Sequence, residues 1–157
     1  MGAVAGTSRS KMIHLGRWKA PRRLPIAFAS LAVVLHWAWE TAHGPAYVET
    51  NLQLAQRVWH CFPMAVLDTA WSGAIVLLAI AAARDLRRPS SMWLIAAAAG
   101  AVTAVAVERF ALETGRWTYN ELMPIVPLVN VGLWPLAQML VLPPLTLHLV
   151  KAMLKVR

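Results

Sequence analysis

The sequence predicts an all-α polytopic membrane protein, a bundle of four transmembrane helices. Three observations lead there. Four apolar runs each have about the 20 residues a helix needs to cross a bilayer. Only 14% of the 157 residues are charged, against 59% hydrophobic, whereas a soluble domain carries about 25% charged residues. The basic residues gather in short tracts beside the apolar runs. Backbone groups find no water in hydrocarbon, so only helices or closed barrels cross it. Period-2 alternation is absent, which selects helices.

Residues 1–23 form a basic, cytoplasmic N-terminal segment carrying Arg9, Lys11, Arg17, Lys19, Arg22 and Arg23, with Trp18 among them. Its composition suits a short helix lying on the membrane surface. Arg22-Arg23 ahead of an apolar run matches the start of an export signal. Pro25 interrupts it and no small-residue cleavage site follows, so the first helix is expected to stay as an anchor. Residues 24–157 read as one transmembrane domain with spans near 24–43, 63–83, 91–111 and 131–150.

The second span closes on Arg84-Asp85-Leu86-Arg87-Arg88-Pro89. The third holds Ala96-Ala97-Ala98-Ala99-Gly100, whose small side chains allow close helix contact and suggest a face for a homo- or hetero-oligomer. Pro135, Pro143 and Pro144 predict a kink or local unwinding in the fourth.

Orientation follows from Lys and Arg. Twelve lie in the N-terminal tract, the 84–90 loop and the C-terminal tail, against Arg57, Arg109 and Arg116 on the other side. The positive side stays in the cytoplasm, so both termini are cytoplasmic and the 44–62 and 112–130 loops face outward. The expected setting is a bacterial inner membrane. The net charge of +8 then reads as topology signal and lipid-headgroup contact, not as nucleic-acid binding. The lone Cys61 excludes an internal disulfide.

This topology places the polar residues in one layer toward the outer face. At about 1.5 Å per residue, His36 on the first span and Gln138 on the fourth lie roughly 10 Å down. Asp68 lies about 7 Å down the second span, Glu40 is one turn shallower than His36, and Glu108 sits near the outer end of the third. An ionisable group facing lipid costs about 2.5–3.5 kcal/mol on insertion scales, so Asp68 and His36 should face the interior and pair with Glu40 and Gln138.

His36, Glu40 and His43 recur at i, i+4, i+7 and fall on one helix face. They suit either a divalent metal, with His60, Cys61 or Asp68 completing the shell, or a hydrogen-bonded stripe that locks helices. A bis-His haem site lacks a second histidine at equal depth. The apolar inner half argues against a channel or transporter.

Asp68 with Glu40 or Glu108 could split roles as proton donor and charge stabiliser. Trp37, Trp39, Trp71 and Trp134 flank the layer as candidate substrate contacts. The 112–130 loop, from Leu112 through Gly115, Trp117, Tyr119, Asn120 and Glu121 to Pro124 and then apolar Ile125 to Leu128, mixes aromatic, amide and carboxylate groups. It reads as a lid dipping back over the polar layer, with Tyr119 a candidate substrate contact, or as an ordinary interfacial loop.

The string His36-x-x-x-Glu40, with Tyr47, Asp68, Asn130 and Trp134, resembles EXPERA-domain membrane proteins, which include the emopamil-binding sterol isomerases. The resemblance implies a lipid-sized cavity in which a carboxylic acid protonates an alkene. On that pattern His36 and Glu40 match its His/Glu pair, Asp68 its second-helix acid, and Asn130 and Trp134 its last-helix pair. The Asn–Trp spacing is one residue longer here, and the family's Gly-Pro-Leu stretch is absent.

Gly115-x-Trp117-x-Tyr119 is closer to loops of membrane carotenoid hydratases. Along most of its length the chain also resembles small bacterial membrane proteins with His-x-x-Trp-Glu followed by Trp-x-Tyr-x-x-x-Met-Pro, which implies no activity. The combined expectation is a hydrophobic, isoprenoid-like ligand drawn from membrane lipids. It would be bound, or isomerised or hydrated at a double bond, by Asp68, Glu40, His36 and Glu108, with Asn130 and Gln138 assisting. The alternatives are an accessory or assembly subunit of a membrane complex and a metal-dependent membrane enzyme.

Overall fold

The computed structural model describes residues 23–85 and 89–155. The N-terminal basic segment, Arg87, Arg88 and Arg157 lie outside the described residues. Four long helices form the bundle: α1 (Leu24–His43), α3 (Phe62–Asp85), α4 (Met92–Glu113) and α5 (Leu133–Met153). Each is long and apolar enough to span a membrane, so the chain is an all-α, four-helix membrane protein. A short helix, α2 (Leu54–His60), and a two-residue hairpin, β1 (Ile125–Val126) with β2 (Val131–Gly132), complete the fold. Neither was expected from the sequence, because each is too short to carry a periodic signal.

Local chemistry sets the ends. Pro25 occupies the first turn of α1, where its missing N–H has no intrahelical use. At the end of α4, Gly115 takes φ +66°, its N–H bonds Leu112, and the N–H of Arg116 bonds Ala111 at 2.8 Å. That is the two-bond closure glycine permits after a helix. In the hairpin, Ile125 pairs with Gly132 and Val126 with Val131.

The helices form a closed four-sided ring: α1 and α4 each pack on both α3 and α5. At the end of the bundle that holds Leu24 and Leu154, the core joins Phe28, Ala32, Val76, Leu147 and Val150. The middle joins Ile75, Ala79, Ala96, Ala104 and Met139. Tyr47, Ala46 and Met123 cap the opposite end.

Two expectations about the helices are corrected. First, α5 does not unwind at Pro143 and Pro144 but stays helical through both. Proline's fixed φ is already helical; what it removes is an N–H donor. Pro143 therefore leaves the Met139 carbonyl without its partner. Gly100 of α4 lies so close that a Cβ there would overlap this carbonyl. The glycine Cα–H thus faces an unmatched acceptor, a contact that recurs between close-packed helices. Second, one side of the small-residue stripe of α4 is used within the chain: Ala96, Gly100, Ala104 and Ala111 are buried, while Ala98 stays exposed.

Candidate functional site

Three of the long helices bring their polar side chains to one point. Gln138 on α5 is 1% exposed and His36 on α1 is fully buried. The Gln138 amide nitrogen lies 2.9 Å from His36 Nδ1 and 2.9 Å from Asp68 Oδ2 on α3. Two N–H groups thus meet two acceptors. With Nδ1 accepting, His36 Nε2 carries the ring proton and donates to Ser72 Oγ at 2.7 Å. The imidazole is held in one tautomer by partners on two other helices.

Glu40, one turn above His36, shares a small cavity with Asp68 and Gln138. His36, Gln138 and Asp68, read from the sequence as partners, therefore meet. Ser72 was not anticipated. Its signal is its spacing: four residues past Asp68, it lies on the same face one turn deeper.

Glu108 on α4 belongs to a neighbouring cluster. Its carboxylate accepts from Tyr47 Oη at 3.4 Å, from Trp117 Nε1 at 3.2 Å, and from Tyr119 Oη. Burial and then the Glu108 charge push the Tyr47 hydroxyl well above the usual phenol range. Burial and the bond to Glu108 do the same for Tyr119. Both therefore remain donors. Tyr119 also accepts from the Gly132 N–H at 2.9 Å, and its backbone pairs with Tyr47. The 115–124 loop thus folds back over the layer as expected, with Glu108 as its anchor.

Two cavities adjoin these groups. The first is about 40 Å³, lined by Glu40, Asp68, Trp71, Thr103, Pro135 and Gln138 among others. It holds one or two waters or a methyl-sized group, which corrects the expectation of a lipid-sized space at the acid pair. The second is about 320 Å³, lined by Trp39, Ala42, His43, Pro45, Ala46, Leu122 and Trp134.

The aromatic candidates divide accordingly. Trp71, 42% exposed, borders the small cavity. Trp39 and Trp134 wall the larger one, joined by a bond from Trp39 Nε1 to the Trp134 carbonyl at 3.2 Å. Trp37 borders neither: it donates to Val58 at 2.5 Å and packs on Trp59 and Phe62, holding α2 in place. Asn130 is exposed and adopts φ +52° in the hairpin turn. Its role is that of a turn residue tolerant of left-handed backbone, not a ligand contact.

The His36, Glu40, His43 stripe does not make a metal shell. His36 directs its nitrogens to Ser72 and Gln138, and His43 directs Nδ1 to the Trp39 carbonyl at 2.8 Å. Among the described residues no three His, Cys, Asp or Glu side chains gather as a metal-holding group. Of the stripe, His36 joins helices by hydrogen bonds, to Ser72 on α3 and Gln138 on α5.

Comparison with family models, with curated proteins and with solved structures finds no match.

Proposed function

We propose that the protein binds a hydrophobic, isoprenoid-like lipid and uses the Asp68–Glu40 pair as proton donor for isomerisation or hydration of a double bond. The observation that carries this reading is that two carboxyl groups, Asp68 and Glu40, line one small cavity beside the Trp71 ring. An intramembrane acid is expensive and by default functional. Asp68 is oriented by Gln138, whose amide also holds His36.

The cavity volume admits only the reacting carbons, so the rest of the lipid lies along the membrane-exposed Trp71. Asp68 or Glu40 gives its proton to one alkene carbon. The cation formed at the other carbon faces the Trp71 ring and the remaining carboxylate. In isomerisation the carboxylate removes a proton from the adjacent carbon. In hydration a water adds to the cation and returns its proton to the pair. His36 and Gln138 act by holding Asp68. Trp134, at the other cavity, takes no part.

We place both termini in the cytoplasm of a bacterial inner membrane, which puts the acid pair toward the outer face. The accessory-subunit reading has less support, because the small-residue face of α4 is occupied by α5.

The test uses the protein in liposomes of bacterial lipid extract in D2O, followed by mass spectrometry. Deuterium should enter an isoprenoid lipid with the wild type and not with Asp68→Asn or Glu40→Gln. Unchanged labelling in both variants removes the acid role.

A further inference from the structure

The two cavities lie on either side of one contact. Glu40 lines the small cavity and His43 the large one. His43 Nε2 lies 3.8 Å from Glu40 Oε2. We infer that His43 is the proton relay between the 320 Å³ cavity and the half-buried Asp68 and Glu40 carboxyls. The inference rests on the acid-pair reading above.

The geometry around the ring supports the assignment. Nδ1 donates to the Trp39 carbonyl at 2.8 Å, which leaves Nε2 as the nitrogen free to gain and lose a proton. The titratable groups that face it come from three elements: Glu40 on its own helix, Glu108 on α4, and the Tyr47 ring from the following loop, centroid 5.5 Å away. Burial disfavours the imidazolium and the neighbouring carboxylates favour it, so the charged form is transient. The larger cavity has room for several waters at about 30 Å³ each. A proton passes from a hydronium there to Nε2, leaving water. A small ring rotation, pivoting on the Nδ1 bond, shortens the 3.8 Å gap to hydrogen-bond range. The imidazolium then gives the proton to Glu40 and is neutral again.

The experiment needs no substrate. Infrared spectra of the full protein in liposomes report the C=O stretch of a protonated carboxyl, and transfer into D2O reports how fast its proton exchanges. Asp68→Asn identifies the band. His43→Gln keeps a donor for the Trp39 carbonyl but carries no proton across. It should slow exchange at least tenfold, while the exposed His60→Gln leaves the rate unchanged. His43→Ala should be equally slow and recover with added imidazole, which a purely structural role would not do. Wild-type exchange rates in both His43 variants overturn the relay and leave the acid pair standing. Absence of a protonated carboxyl band in the wild type overturns the acid pair and the relay together.

Discussion

Single residues in this protein act through their acceptors. Gln138 holds His36 and Asp68 with one amide group. Glu49 does the comparable task at the surface: the Thr118 amide donates to both its oxygens at 3.0 Å and the Thr118 hydroxyl at 2.7 Å. Its slight burial pushes the carboxyl up, but the Thr118 hydroxyl and amide outweigh this and hold it below the usual range. A depressed folded-state pKa gives stability that is complete above the unfolded value of about 4.3 and lost as pH falls through the folded one. The Thr118 amide should therefore lose hydrogen-exchange protection in acid below the ordinary carboxylate range. In Glu49→Gln it should be poorly protected at every pH. Equal pH dependence in both proteins would rule out this clamp.

At the scale of elements, the tightest approach is between α4 and α5. It depends on two residues that disfavour isolated helices. Glycine forfeits about 1 kcal/mol of helix propensity, and proline removes a donor. Together Gly100 and Pro143 match a bare Cα to a freed carbonyl. Gly100→Ala should lower the unfolding midpoint in detergent, by about 1–3 kcal/mol of overpacking. Val102→Ala on the exposed side of the same helix should cost far less. Equal effects would show that the close approach adds nothing. This contact was only half legible. The Ala/Gly run announced close packing, but which helix would fill it was not readable, because small residues attract any neighbour equally. The prolines were misread because sequence shows the lost donor and not what takes its place.

For the whole molecule, the segregation of basic residues predicts sidedness. Thr114→Cys should label from outside the cell with an impermeant maleimide, and Lys155→Cys only after permeabilisation. The native Cys61 should stay silent: it is buried, and burial and then the Glu40 charge push its thiol up to about 11. The reverse labelling pattern would invert the bundle and put the acid pair toward the cytoplasm.

The four spans and the polar layer were both legible, because bilayer thickness fixes helix length and hydrocarbon penalises each stray charge. Those are constraints a linear sequence records directly. Which polar groups touch was decided by helix rotation and pairing. That settled Ser72 as the His36 partner, Tyr47, Trp117 and Tyr119 as the Glu108 cradle, and Trp37 as a staple for α2. It also divided the space into a 40 Å³ and a 320 Å³ cavity. Cavity size depends on side chains from several helices meeting across a few ångströms, and no periodicity along a single chain encodes that distance.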